Sequence, residues 1–178
     1  MPRNDRPVIE PATPDDVDVV VECWLRLAAE QREHGSAVSV EENRQAISHL
    51  LSAHQSAGGL IVARRPGSDA SSETGSIVGF ATVTIETQTI AFDETRGLLS
   101  NIWVRPDHRG QGIGGELLEA AETALAERGA DVCRLEVLEA NERARAFYDD
   151  HGYETRRRVL ERSLDGKDKS DTHSKGDR

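Results

Sequence analysis

Seven consecutive residues, Arg109-Gly110-Gln111-Gly112-Ile113-Gly114-Gly115, combine one cation and four glycines. They lie between an apolar run that closes at Val104 and a helix-patterned run that opens at Ile113. Glycines permit left-handed backbone angles and leave no Cβ between the main chain and a ligand. A helix that begins there presents unpaired N–H groups and a partial positive charge. Phosphate or pyrophosphate is the natural guest of such a start, and Arg109 adds a cation at its edge.

Three phosphate-loop readings compete with a plain glycine-rich turn. A P-loop is excluded because no Gly-Lys-Ser/Thr ending is present. A dinucleotide fingerprint is closer: Gly110-Gln111-Gly112-Ile113-Gly114-Gly115 matches GxGxxG, and Glu136 follows 21 residues after Gly115, near the position of a ribose-binding acid. Against it, the five residues Arg105 to Arg109 separate the strand from the first glycine, and only 63 residues follow Gly115, too few for the rest of such a sheet.

The third reading needs a second block. Leu135-Glu136-Val137 is followed by Asn141, then Ala144, Phe147 and Tyr148, then Gly152-Tyr153. Together with Ile102-Trp103-Val104-Arg105-Pro106 and the Arg109-Gly110-Gln111-Gly112-Ile113-Gly114 loop, this resembles the GNAT family of N-acetyltransferases. That family places Gln/Arg-x-x-Gly-x-Gly/Ala after a strand, and later Asn, Ala-x-x-Phe/Leu-Tyr and Gly-Phe/Tyr. The two blocks cover residues 98–153, and the order of elements extends the match to 8–164. The resemblance implies acetyl-CoA as acyl donor, held by the backbone of Ile102, Trp103 and Val104 along its pantetheine arm. The N–H groups of Gly110, Gln111, Gly112, Ile113, Gly114 and Gly115 would hold its pyrophosphate. Asn141 would bond the pantetheine arm, although capping a helix alone explains an asparagine there.

Amide formation needs a neutral amine, and a lysine-type amine has a pKa of about 10.4. The site must therefore accept a proton, stabilise a tetrahedral oxyanion, and protonate the departing sulfur. The bulged end of the strand near Val104 is expected to supply the oxyanion donor. The resemblance puts Tyr148 near the sulfur, and a phenol is protonated at neutral pH; the alternative is a core aromatic paired with Phe147. Glu136 is the candidate base, acting through water. Its alternative is a solvent-facing acid or a partner of Arg134. Glu86, Asp93 and Glu94 are reserves. His108 and the run Arg156-Arg157-Arg158 read as surface, and Cys133 has no histidine partner to make it a nucleophile.

These residues need a frame. Val8–Ala12 reads as a strand. Thr13-Pro14-Asp15-Asp16 starts a helix that Gly35 ends, and Ser39 to Glu42 is a capping box for a second helix stopped by Gly58-Gly59. Strands follow at 60–64, 76–85, 97–104 and 132–138, the second and third of these joined by a turn over 86–96. Helices follow at 113–128 and 141–151. Segments 153–158 and 159–164 complete the set as two closing strands. The expected fold is α/β (α+β): a mixed, mostly antiparallel central sheet of about seven strands with helices on both faces, GNAT-like. Residues 1–7 are expected to be a flexible N-terminus, 8–164 the N-acetyltransferase domain and 165–178 a disordered polar tail.

The 178 residues make one ordinary domain, with 37% hydrophobic and 30% charged residues. A net charge of −10 argues against a nucleic-acid partner. No apolar run approaches the roughly 20 residues of a membrane span, and no apolar signal core follows the first charges, so a cytoplasmic location is expected. The three lysines, Lys167, Lys169 and Lys175, all lie in the tail; an acidic, lysine-poor chain fits a high-salt cytoplasm or a GC-rich genome. Cys23 and Cys133 read as buried free thiols, and the histidines show no ligand spacing, so no metal is expected. The acceptor is expected to be an amine, on a small molecule or a protein, lying near Trp24, Glu30, Glu33, Phe92, Asp93 and Glu94. The resemblance leaves a homodimer possible. An acyl-CoA sensor without turnover and an NAD-type dinucleotide-binding protein are the alternative functions.

Overall fold

The computed structural model describes residues 6–66, 76–87, 90, 92–162 and 164. The expected loose N-terminus lies outside these residues except for Arg6 and Pro7, and the polar tail lies wholly outside them. Five strands form one sheet in the sequential order β1 (Val8–Pro11), β2 (Leu60–Arg65), β3 (Ser76–Ile85), β4 (Arg96–Val104) and β5 (Val132–Leu135). The first three pairings are antiparallel and the last is parallel.

Helices α1 (Val17–Glu33) and α2 (Arg44–Ser56) cover one face, and α3 (Ile113–Ala126) and α4 (Glu142–Asp150) the other. The period-two pattern of β2 shows why. Leu60 and Val62 enter the core beneath α1 and α2, whereas Ile61 and Ala63 enter the core beneath α3. Thr13 opens the α1 segment through its N–H and hydroxyl, which donate to Asp16 at 2.8 and 2.9 Å. The box expected at Ser39 does not form. A short 3-10 turn over Glu41–Asn43 leads into α2 instead, and Asn43 Nδ2 donates to the Ser39 carbonyl at 2.6 Å.

Two expectations about the sheet are corrected. Among the described residues there are five strands, not about seven: 153–158 and 159–164 make none, and Val159 and Leu160 are 80% and 91% exposed. Three adjacent arginines, Arg156 to Arg158, repel one another and break any apolar alternation. The edge they would join is only four residues long. The second correction concerns β5, which stops at Leu135 rather than running to residue 138.

The feature that shapes the site is a bulge in β4. Thr82 pairs with Asn101 and Val83 with Leu99, so Ser100 has no partner on β3. The extra residue changes the phase of the strand. Leu99 packs under α3, and Trp103, which unbroken alternation would put on that same face, packs with Phe80 in the other core. Sequence reasoning put the bulge near Val104; it lies four residues earlier, where two polar residues, Ser100 and Asn101, interrupt the apolar run.

Candidate active site

The parallel ladder between β4 and β5 pairs Arg96 with Val132, Gly97 with Cys133, Leu98 with Arg134 and Leu99 with Leu135, and ends there. Among the described residues no strand lies beside the outer edge of β4 from Ser100 to Val104, so its main-chain groups, apart from the Val104 carbonyl, which accepts from Arg109, are open to an extended ligand. The bulge turns β4 at the place where β5 stops. Asn101 is held inward, donating from Nδ2 to Thr82 Oγ1 at 2.8 Å.

This open slot leads to the start of α3. A 3-10 turn over Pro106–His108 follows β4, and Gly110 and Gly112 then adopt φ of 76° and 86°. Gly112 caps α3 from the left-handed region, which strongly favours glycine. A Cβ on Gly110 or Gly112 would meet nothing within 4 Å, so the loop is open above both. The first α3 hydrogen bond runs from Glu116 N to Gly112 O, leaving the earlier N–H groups at the helix start without intrahelical partners. Ile113 anchors this end by burying its side chain.

Gly114 and Gly115 also allow a close approach of α4. A Cβ on Gly114 would sit 3.5 Å from the Phe147 ring, and one on Gly115 would come 3.2 Å from His151 Nε2. These two glycines let α4 lie across the first turn of α3, and Tyr148 on α4 packs into the core beneath α3. Tyr148 is 9% exposed, with ring centroids 5.2 Å from Phe147 and 5.6 Å from Tyr153. Burial, with a smaller contribution from Cys133, pushes its phenol up to about 12. Its hydroxyl has no hydrogen-bond partner among the described residues. Tyr153, by contrast, donates to Glu122 Oε1 at 2.7 Å, and burial again raises its phenol well above the ordinary value. Asn141 caps α4 by accepting from Ala144 N at 3.1 Å.

The remaining predicted residues are spread more widely. Glu136 lies one residue beyond β5, its side chain 77% exposed and 3.7 Å from Arg134. Gln111 is exposed and reaches the Asp107 carbonyl at 3.5 Å. Arg109 turns away from the open side of the loop: Nε donates to the Val104 carbonyl at 2.7 Å, and Nη2 meets Glu30 Oε1 and Oε2 at 2.9 and 2.7 Å. Glu30 also accepts from Trp103 Nε1 at 3.1 Å. Of the reserve acids, Glu86 pairs with Arg134 at 3.4 Å and Glu94 with Arg96 at 2.9 Å. Phe92 lies under Arg96 at 4.2 Å. Trp24 packs against the core of α1 and α2. Cys23 is buried and Cys133 half-buried, both free, with burial raising each thiol. His108 is mostly buried rather than surface: its side chain is 13% exposed, with Nδ1 3.2 Å from Asp107. Sequence reasoning missed the tie between Glu30 and Arg109, which lie 79 residues apart and share no local pattern.

A strand parted from its parallel neighbour runs here into a glycine-capped helix start, leaving unpaired main-chain groups along both. Comparison with known proteins places the chain further. The model of the acetyltransferase (GNAT) family matches residues 22–153, and the chain belongs to that family. It is 30% identical over 82 residues to YhfO, an uncharacterized N-acetyltransferase of Bacillus subtilis, covering 46% of this chain and 54% of that one. It is 38% identical over 50 residues to a thialysine N-epsilon-acetyltransferase of Bos taurus, covering 28% of this chain and 29% of the other. The matches thus span about half, or less, of these relatives' own lengths. Among solved structures, a GCN5-related N-acetyltransferase from Ralstonia eutropha superposes with a TM-score of 0.67 at 20% identity, covering 88% of this chain and 98% of that one. A predicted acetyltransferase from Clostridium acetobutylicum, solved with acetyl-CoA, superposes at 0.67 with 16% identity over 89% and 96% of the two chains. No described helix is long and apolar enough to cross a membrane. Among the described residues no group of three or more His, Cys, Asp or Glu side chains assembles as a metal site.

Proposed function

We propose that this protein moves the acetyl group of acetyl-CoA to a primary amine by direct attack within a ternary complex. The observation that carries the reading is the parting of β4 from β5 after Leu99 and Leu135, opening onto the helix start at Gly110 and Gly112. In this reading the pantetheine arm completes the β4 edge from Ile102 to Val104, and the pyrophosphate meets the N–H groups of Gly110 to Gly115. The name of the bovine relative, an N-epsilon-acetyltransferase acting on thialysine, supports a side-chain amine as the kind of acceptor.

The amine nitrogen attacks the thioester carbonyl carbon, forming the C–N bond, and an unpaired main-chain N–H at the β4 bulge stabilises the oxyanion. The C–S bond then breaks, and its electrons go to sulfur. Tyr148, protonated at any physiological pH and without another acceptor among the described residues, donates a hydrogen bond to that sulfur, passes its proton late and recovers one from water. The proton lost by the amine leaves through water to Glu136, whose exposed carboxylate stands where β5 ends. Arg109, committed to Glu30, does not serve as a phosphate ligand in this scheme.

Titration calorimetry with acetyl-CoA and with NAD, followed by thiol release across a panel of amines, tests the proposal. Binding of acetyl-CoA with amine-dependent thiol release is the expected result. Binding without release for any amine would favour a sensor, and binding of NAD alone would reject the donor.

A further inference from the structure

Arg109 is the one cation in the glycine loop, and its guanidinium is bound to the protein. One nitrogen grips the Val104 carbonyl at the end of β4, and another grips both oxygens of Glu30 on the last turn of α1. Glu30 in turn holds the Trp103 indole N–H. The carboxylate therefore closes a ring through helix, strand end and loop. Arg109 lies at the far end of the turn that begins at Arg105, and Arg105 N is already fixed to the Val78 carbonyl at 2.8 Å. The five-residue turn is thus pinned at both ends before Gly110 begins. The pair is electrically neutral, so it offers little attraction to a phosphate beyond the loop. It contributes shape, because a guanidinium fork has fixed geometry that an ammonium lacks.

We infer that Glu30 and Arg109 are positioning residues of the acetyl-CoA site: Glu30 holds Arg109, Arg109 fixes the Val104 carbonyl, and the turn then presents the N–H groups of Gly110 to Gly115 in one arrangement. The inference rests on the acetyl-CoA reading above. It reverses the expectation for a direct phosphate ligand. Removing the charge of Glu30 would free such a ligand and tighten donor binding, whereas it loosens a positioned loop and weakens binding.

Calorimetry of acetyl-CoA binding to the wild-type chain, Glu30→Gln, Arg109→Lys and the double variant decides between these, with thermal unfolding recorded for each. Each single variant is expected to weaken acetyl-CoA about tenfold, the scale of one lost charge-assisted hydrogen bond. The double variant is expected to lie within about threefold of the weaker single, because both act on one unit. With a reactive amine, the KM for acetyl-CoA should rise while kcat at saturation stays within about threefold. Arg109→Lys keeps the charge and loses the fork, so retained affinity there would overturn the inference. Tighter or unchanged binding by Glu30→Gln would overturn it too, as would additive losses, or a fall in melting temperature with affinity unmoved. If Glu30→Gln does not fold, Glu30→Asp, one methylene shorter, is expected to weaken binding in the same way. A folded wild-type chain that binds no acetyl-CoA would instead reject the functional reading itself.

Discussion

Tyr148→Phe tests the chemical step most directly. The ring is 9% exposed and packed against Phe147 and Tyr153, and phenylalanine preserves those contacts. The hydroxyl has no partner among the described residues, so its loss should cost less than about 0.5 kcal/mol of stability. Its effect on turnover can be bounded. Burial holds the phenol at about 12, roughly 3.5 units above a thiol's reference value of about 8.5, so complete proton transfer to a thiolate is uphill by about 5 kcal/mol. Tyr148 therefore acts mainly as a hydrogen-bond donor to developing negative charge, with transfer late. A hydrogen bond to a charged partner is worth about 1.5–3 kcal/mol, which converts to about 10- to 150-fold in kcat. The assay is thiol release at saturating acetyl-CoA, alongside calorimetric affinity and melting temperature. Affinity should stay within about twofold. A kcat within twofold of wild type, or an affinity loss as large as the kcat loss, would refute the reasoning.

Glu136→Gln should lower the acidic limb of the pH–rate profile while leaving acetyl-CoA affinity unchanged; an unaltered limb would remove Glu136 from the proton path. Asp16→Asn should destabilise the fold by about 1.5–3 kcal/mol in chemical denaturation, because Arg64, 2.7 Å away and itself mostly buried, would lose one charge-assisted hydrogen bond while keeping its ion pair with Glu10. The hydrogen bonds from Arg64 and Thr13 hold the Asp16 carboxyl below its ordinary value despite burial. Its stabilisation is therefore complete above the unfolded pKa of about 3.9 and is lost as pH falls through the lower folded value, so the unfolding free energy of Asp16→Asn should depend less on pH in that range. Gly112→Ala, at φ 86°, should weaken acetyl-CoA binding and cost about 1–2 kcal/mol in a denaturant titration.

Local patterns carried most of the sequence reading. The apolar spacing of Val17, Val20, Val21 and Leu27, the alternation in β2, and the glycines before Ile113 each act within a few residues, and each found its expected place. The Asn141 cap is equally local. What the sequence did not reveal depended on separation in the chain. Glu30 meets Arg109 only because β4, phase-shifted at Ser100, turns Trp103 toward α1. The roles of Gly114 and Gly115 are set by Phe147 and His151, more than 30 residues later. The segment after Tyr153 has strand-like residues, but strand formation depends on an edge to join, and β5 offers four residues.

The unpaired Ser100 makes β4 a strand with two addresses. Before the bulge the odd-numbered Leu99 faces α3; after it the even-numbered Ile102 and Val104 do, and Trp103 faces α1. Deleting one residue there would not merely shorten the strand. It would send Trp103 to the wrong side of the sheet, strand Glu30 without its indole partner, and close the gap in which a thioester could lie. The spacing between Leu99 and Trp103 is thus a fixed gear ratio between the two halves of the molecule, tolerant of changes in residue type at Ser100 but not of a change in count.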